Sequence, residues 1–109
     1  MITWTDFEKV EMRVGTILEV DDFKEARNPS YKLTIDFGQH GIKKSSAQIT
    51  HLYTKEELLW KQIIAVTNFP PKQIANFISE CLILGVVQEN KEVVLLQPQR
   101  IVKNGERIG

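Results

Sequence analysis

The sequence has few of the features that mark secreted, membrane-spanning or strongly charged proteins. It contains one cysteine, Cys81, so no intramolecular disulfide can form. No apolar run approaches the roughly 20 residues of a transmembrane helix, and the first residues lack the basic and apolar segments of a signal peptide. Acidic and basic residues number 14 each. We therefore expect a cytoplasmic protein that does not insert into membranes and does not hold nucleic acid by bulk positive charge.

Motifs of the common enzyme classes are also missing. The sequence has no phosphate-binding loop, no G-x-G-x-x-G and no G-x-S-x-G. His40 and His51 lie in or beside predicted loops, without a cysteine or carboxylate at metal-ligand spacing. We expect no catalytic residue, no metal and no cofactor, and we interpret Cys81 as a buried, inert thiol.

What remains is the composition of an ordinary globular domain. Hydrophobic residues make up 42% of the 109 residues and charged residues 26%, which fits one domain over residues 1–109. Short alternating or apolar segments predict strands at Met12–Val20, Tyr31–Phe37, Lys43–Ile49, Ile63–Val66, Leu82–Val87 and Val93–Leu96.

Alternation also predicts the faces of these strands. In the first strand Gly15 suggests a bulge or tight bend. One face of that strand is expected to carry Met12, Val14, Leu18 and Val20. Side chains expected to be mostly buried in later strands are Leu33, Ile35, Ile64, Val66 and Leu84.

Capping and proline signals predict the remaining local structure. Two capping boxes predict two short helices, one at Thr5 with Glu8 and one in the run from Thr54 through Glu57. Pro70 and Pro71 must take the chain out of the sheet, and Ile74, Phe77 and Ile78 then predict one or two helical turns. The whole pattern predicts an all-β protein with short helices. Its expected form is a five-stranded Greek-key barrel of the OB type with N- and C-terminal extensions.

Binding is the remaining kind of function, and two segments carry the candidate residues. Ligands of OB barrels lie across the second and third strands and the flanking loops. The third predicted strand is polar almost throughout, which favours either a working surface or an edge protected by lysines. The candidate nucleic-acid-binding residues are Lys43, Lys44, Ser46, Gln48, Asn68, Lys72, Gln73 and Ser79.

Apolar residues of the proline corner form a second candidate set. Phe69, Pro71, Ile74 and Phe77 are candidates for a polypeptide-binding pocket or a stacking platform. The alternative is that these side chains belong to the core, as most such residues do.

Two segments resemble the tRNA-binding domain family, which includes the C-terminal domain of many methionyl-tRNA synthetases. Met12–Ile17 resembles its D-[IL]-R-V-G-x-[IV] opening, and Asn68–Ile74 with Ser79–Leu84 resembles its N-[LF]-x-P-x-[KQ]-[MI] … S-x-G-M-[LV]-L segment. A closer similarity, to export-related, chaperone-like bacterial members, runs through Phe23–Asp36, Ser45–Ile49, Leu52–Leu58, Asn68–Pro71 and Val94–Pro98. The resemblance implies an OB fold and a homodimer whose interface lies outside the barrel.

Departures from the tRNA-binding pattern separate two functional hypotheses. Gln73 stands where those members usually carry lysine, Cys81-Leu82 replaces Gly-Met, and Ala26–Tyr31 replaces a His-Pro-x-Ala-Asp loop. Trp60 stands where glycine is expected. The resemblance then implies a chaperone that binds unfolded or pre-secretory polypeptides, and only weak tRNA binding. The alternative is a tRNA-binding protein.

Apolar residues outside the barrel predict the homodimer independently. A barrel this small cannot bury them all in its own interior. Each large apolar side chain left in contact with water loses a burial free energy of roughly 1.5–3 kcal/mol. A two-fold interface would cover them, whereas the alternative is that they fold back onto their own barrel. The candidate interface residues are Trp4, Phe7, Ile101, Val102 and Ile108.

Overall fold

The computed structural model describes every residue from Met1 to Gly109. It contains nine strands, two short α-helices and one 3-10 turn at Gly38–His40. The helices are α1 (Trp4–Glu8) and α2 (Lys55–Leu58). The strands are β1 (Met12–Asp22), β2 (Tyr31–Asp36), β3 (Ile42–Ala47), β4 (Gln62–Val66), β5 (Lys72–Ile74), β6 (Phe77–Ser79), β7 (Leu82–Ile83), β8 (Gly85–Val87) and β9 (Val93–Leu95). Neither helix is long and apolar enough to cross a membrane.

Five strands form one antiparallel sheet in the order β3-β2-β1-β4-β7. The long strand β1 organises it, because Met12–Thr16 pairs with β4 and Thr16–Asp22 pairs with β2. The sheet curls into a nearly closed barrel, while β5–β6 and β8–β9 form separate two-stranded ribbons. The predicted all-β, five-stranded barrel of the OB type is confirmed.

The core fills the barrel with side chains from most of its strands. Leu33, Ile35 and Val66 are buried as predicted, but Ile64 and Leu84 are only partly buried. Ile63 points inward in place of Ile64 and is 1% exposed. The principal buried cluster is Ile17, Tyr31, Leu33, Ile35, Phe37, Ile49, Leu58, Ile63, Ala65 and Cys81.

A bulge in β1 corrects the predicted faces of that strand. Ile17 pairs with Ile35 and Glu19 with Thr34, so Leu18 is an extra residue in the ladder. The bulge changes the inward register, so Ile17 and Val20 both contact the core although they are three residues apart. Gly15 is not the bulge. A Cβ at that position would lie 2.6 Å from Ile35 Cγ2, so this glycine permits close packing.

The predicted helix after the proline corner is wrong, because residues 72–79 form a β-hairpin. Ile74 pairs with Phe77 across a turn whose residue Ala75 has a φ of 52°. Apolar residues three apart suit both one face of a helix and the two ends of a two-residue hairpin turn. The spacing therefore did not distinguish them.

The two capping boxes behave differently from each other. Thr54 caps α2 and Glu57 returns its hydrogen bond, as predicted, and the helix ends at Leu58. In α1 the cap is Thr3 and its reciprocal partner is Asp6, which corrects the predicted pair of Thr5 and Glu8. Both pairs have the same three-residue spacing, so the sequence signal alone permits either.

The C-terminal segment returns along the first half of β1. Gly105 N–H donates to the Val14 carbonyl at 2.7 Å, and Val14 N–H donates to the Glu106 carbonyl at 3.0 Å. Ile108 N–H donates to the Met12 carbonyl at 2.9 Å. This part of the tail therefore covers a strand edge of its own barrel.

Candidate functional site

A groove of about 750 Å³ lies between the proline corner and β3, and we call it the corner groove. One wall is the corner itself, where Phe69 is 53% exposed. The floor and opposite wall come from β3, β6 and the start of β7. The lining residues are Ser46, Phe69, Pro70, Pro71, Lys72, Gln73, Ile74, Ser79, Cys81 and Leu82.

Local chemistry fixes the shape of this corner. Pro70 and Pro71 have no N–H to donate and a restricted φ, so the chain leaves β4 in one direction. Asn68 anchors the corner to the N-terminal segment, because its Oδ1 accepts from Glu11 N–H at 3.0 Å and its Nδ2 donates to the Lys9 carbonyl at 2.7 Å. The exposed ring of Phe69 therefore lies between Asn68, which is hydrogen-bonded to the N-terminal segment, and two prolines with restricted φ.

Three of the four candidate polypeptide-binding residues line the corner groove. Phe69 and Pro71 are exposed and Ile74 is partly buried. Phe77 is 8% exposed and does not line the groove. Its ring packs against Phe23 with centroids 5.4 Å apart, so the core alternative applies to Phe77.

Lys32 completes the aromatic cluster around Phe77. Its Nζ lies 5.0 Å from the Phe23 centroid and 5.7 Å from the Phe77 centroid, within cation–π range. Glu25 lies 3.8 Å from the same Nζ. Phe23 and Lys32 carry no local sequence signal, because nothing near Phe23 in the chain marks a loop phenylalanine that packs on a residue 54 positions away.

The candidate nucleic-acid-binding residues do not form one surface. Four of them line the corner groove, namely Ser46, Lys72, Gln73 and Ser79. Two have side chains used within the protein, since Asn68 binds the N-terminal segment and Gln73 Nε2 donates to the Ala75 carbonyl at 3.2 Å. Gln48 lines a different cleft.

The two adjacent lysines point to opposite faces of β3. Lys43 pairs with the buried Ile35 and is partly buried, whereas Lys44 pairs with Thr34 and is exposed. Glu80 lies beside them: its N–H donates to the Lys44 carbonyl at 2.7 Å, and its Oε1 accepts from Lys44 N–H at 2.9 Å. Of the two predicted lysines, only Lys44 therefore presents its side chain outward, and the Glu80 carboxylate lies next to it.

Cys81 sits at the base of the corner groove as a buried thiol. It is 6% exposed, and burial raises its pKa to about 11. The Ser45 hydroxyl donates to the Cys81 carbonyl at 2.9 Å, so the polar strand sends one buried side chain inward to satisfy this backbone group. A thiol with so high a pKa is a poor nucleophile at neutral pH.

A polar clasp, made of Gln62 and Asn104, holds the C-terminal tail. Gln62 Nε2 donates to the Val102 carbonyl at 2.6 Å, and Gln62 Oε1 accepts from Val102 N–H at 3.1 Å. Asn104 Oδ1 accepts from Thr16 Oγ1 at 2.7 Å and from Gln62 Nε2 at 3.1 Å. These partners lie about 40 and 88 positions apart in the chain, beyond any local sequence signal.

The candidate interface residues remain on the outside of the barrel. Trp4 is 84% exposed, Ile101 90% and Val102 38%. Phe7 and Ile108 are partly buried. Trp60, with a φ of 68°, is 69% exposed and lines the same shallow depression as Ile101.

No group of three histidine, cysteine, aspartate or glutamate side chains comes together as metal ligands. Instead, the barrel combines an apolar groove with a few hydrogen-bonding groups on its rim. Such a surface is suited to binding a polymer.

Comparison with known proteins identifies the class to which this barrel belongs. Residues 12–107 match the family model described as a putative tRNA binding domain, and the chain belongs to this family. The matched domain is a binding module and not a catalytic one. The methionine–tRNA ligase of Nanoarchaeum equitans is 32% identical over 108 residues, which are 99% of this chain and 14% of the ligase. The chain thus spans about one seventh of the curated relatives it matches.

Two solved structures resemble the chain over its whole length. The chaperone CsaA of Bacillus anthracis is 50% identical with a TM-score of 0.95, covering 100% of this chain and 99% of that one. The CsaA chaperone protein of Picrophilus torridus is 57% identical with a TM-score of 0.94, covering 100% of both chains. The resemblance to chaperone-like members of the family is confirmed.

Proposed function

We propose that this protein is a CsaA-like chaperone that binds unfolded or pre-secretory polypeptides as a homodimer. The observation that carries the proposal is Phe69, an aromatic ring 53% exposed on a fixed corner above an apolar groove. The likeness to two CsaA chaperones over the full length of the chain supports it.

The physical basis is burial of apolar surface. Phe69, Pro71 and Ile74 offer an apolar surface to a client side chain, and covering one large side chain is worth about 1.5–3 kcal/mol. Burial is non-directional, so the groove accepts many sequences. The client must be unfolded, because a folded protein keeps such side chains inside.

A homodimer would double this surface. Trp4 and Ile101 are almost fully exposed at opposite ends of the chain, and a two-fold interface would bury them. Two copies of the Phe69 corner would then border one extended groove, which suits a polypeptide better than a small ligand.

A second candidate function is tRNA binding, which the family match favours. Lys44 and Lys72 are exposed and could contact phosphates. The formal net charge of zero and the carboxylate of Glu80 beside Lys44 oppose strong binding. We therefore propose weak, strongly salt-dependent association with tRNA.

A polypeptide-binding assay tests the first function. The probe is a reduced and alkylated protein that cannot fold, and Phe69→Ser is compared with Ile42→Ser, which removes an equally exposed side chain outside the groove. Phe69→Ser should weaken binding about tenfold or more, with little dependence on salt. Equal affinities of the two variants would contradict the role of the corner groove.

A salt titration tests the second function. Log affinity for tRNA should fall steeply with log salt. Replacing Lys43 and Lys44 with alanine should flatten the slope by about one unit, because only Lys44 is exposed. Tight tRNA binding that survives this double substitution would show that phosphates bind elsewhere.

Sedimentation velocity tests the homodimer. The protein should sediment as a dimer at micromolar concentration, and Ile101→Asp should shift it towards monomer. Ile42→Asp places the same charge at another exposed apolar position and serves as the control. A monomeric wild-type protein would refute the dimer.

A further inference from the structure

We propose that the open side of the barrel binds an extended polypeptide segment by strand addition. The site is the gap between β3 and the continuous run of β7 and β8, which we call the seam. This inference rests on the proposed polypeptide-binding function and specifies how the client backbone is recognised.

One wall of the seam is an uninterrupted strand edge with free backbone groups. Leu84 N–H donates to Ile64 of β4, and the Leu84 carbonyl accepts from Leu96 beyond β9, so both neighbours lie on one side of the β7–β8 run. The backbone groups of successive residues in a strand alternate between its two edges, so those of the residues next to Leu84 point to the other side. The N–H and C=O groups of Ile83, Gly85 and Val87 therefore face the seam, and none has a backbone or side-chain partner.

The other wall is the outer edge of β3. Phe37 N–H donates to the Gly41 carbonyl, which sets the parity of the β2–β3 ladder. The backbone N–H and C=O groups of Lys44 and Ser46 therefore point away from β2. Glu80 takes both backbone groups of Lys44, whereas the Ser46 N–H has no partner and the Ser46 carbonyl accepts only the Ser45 hydroxyl, at 3.2 Å.

The seam is closed at one end and opens into a cleft at the other. Glu80 and Cys81 bind Lys44 and Ser45, and no hydrogen bond joins the two walls beyond that point. The cleft has a volume of about 680 Å³, within the range of ligand sites. It meets the corner groove at Ser46, Ile74 and Leu82, which line both.

The lining of the cleft selects the chemistry of its occupant. Most of it is apolar, including Ile49, Val87 and Val93, and the only charged side chains are Arg27 and Lys91, both basic. Unpaired edge groups at a spacing of two residues match the backbone of an added strand. We infer an extended segment with apolar side chains towards the cleft and an acidic residue at one end.

Two substitutions at one position, one that keeps the backbone donor and one that removes it, test this inference. Val87 N–H faces the seam, and proline is tolerated at an edge position whose N–H is not in the ladder. Val87→Pro removes the donor, and Val87→Ala removes the side chain but keeps the donor. The probe is a labelled ten-residue peptide of alternating valine and threonine with a terminal aspartate. Val87→Pro should weaken its binding about tenfold relative to Val87→Ala.

Two further measurements do not depend on that variant. In the wild-type protein, peptide binding should slow hydrogen exchange of the Ser46, Ile83, Gly85 and Val87 amides, measured by NMR. A peptide with methylated amides at alternate positions should lose affinity, and replacing the aspartate with lysine should weaken binding.

The possible failures are distinguishable. If the peptide binds but these amides exchange at unchanged rates, or the methylated peptide binds equally well, strand addition is refuted while polypeptide binding stands. If neither the peptide nor the unfolded protein binds, the proposed function fails and the inference fails with it.

Discussion

Two places in the barrel leave strand edges outside the ladders of the five-stranded sheet, namely the first half of β1 and the seam, and the chain treats them differently. At the first half of β1 the C-terminal tail returns. Its Gly105 and Ile108 N–H groups donate to the Val14 and Met12 carbonyls, and its Glu106 carbonyl accepts from Val14 N–H. At the seam, Ile83, Gly85 and Val87 on one side and Ser46 on the other keep unpaired backbone groups. An open strand edge promotes aggregation. At β1 the chain removes this hazard by covering the edge with its own tail.

The two edges also differ in the side chains around them. The covered edge is held by polar side chains, with Gln62 and Asn104 clasping the tail. The seam is lined by aliphatic side chains and has no comparable clasp. The covered edge is therefore completed by the chain itself, whereas the seam, as we propose, binds a segment of another polypeptide.

The largest expected effect concerns the core that both edges surround. Ile35→Ala removes a side chain that is 0% exposed, packs close to Gly15 and belongs to the residue paired with Ile17. It should lower the free energy of unfolding by about 2–5 kcal/mol, measured in urea. Val86→Ala, at a position 52% exposed, should cost less than about 0.5 kcal/mol. Similar losses would mean that the barrel interior is not the stabilising core.

The covered edge should weaken when its clasp is removed. Gln62→Ala loses three side-chain hydrogen bonds to Val102 and Asn104 and should cost about 1–2 kcal/mol. Exchange of the Gly105 and Ile108 amides should accelerate, since these donate to β1. Gln97→Ala, which removes one contact of 3.5 Å, is the matched control. Unchanged exchange after Gln62→Ala would show that the tail is held by other contacts.

Trp60 offers a test beside the covered edge. Its φ of 68° lies in the left-handed region, which costs a non-glycine residue about 1 kcal/mol or more. Trp60→Gly should therefore raise the free energy of unfolding by about 1 kcal/mol, whereas Trp60→Ala keeps the strain and should not. If both variants lose stability equally, packing of the indole outweighs the backbone strain.

The smallest expected effect is a pH dependence next to the tail. A hydrogen bond from the Arg13 guanidinium, at 2.6 Å, lowers the pKa of the Glu11 carboxyl below 4.5. This pair therefore adds stability above that pH, and the contribution is lost as the pH falls through the lowered pKa. Glu11→Gln should cost less than about 1 kcal/mol at pH 7, and this cost should shrink as the pH is lowered through the depressed pKa of Glu11. Glu89→Gln, at an exposed position, is the control substitution.

Local patterns determined much of this protein. The alternation of Tyr31, Leu33, Ile35 and Phe37 predicted an inward face, and all four are buried. The capping box at Thr54 and the break at Pro70 and Pro71 were also readable. Each signal depends on residues within a few positions of one another, which is the range over which sequence patterns report backbone geometry.

The tertiary structure decided what depends on distant partners. The bulge at Leu18 turned the inward face of β1, the hairpin replaced the predicted helix, and Phe77 became part of the core through Phe23. The groove around Phe69 was predicted in outline, but the seam was not. Whether a strand edge is covered depends on which remote segment returns to it, and hydrogen bonds between residues some 90 positions apart leave no mark in the local sequence.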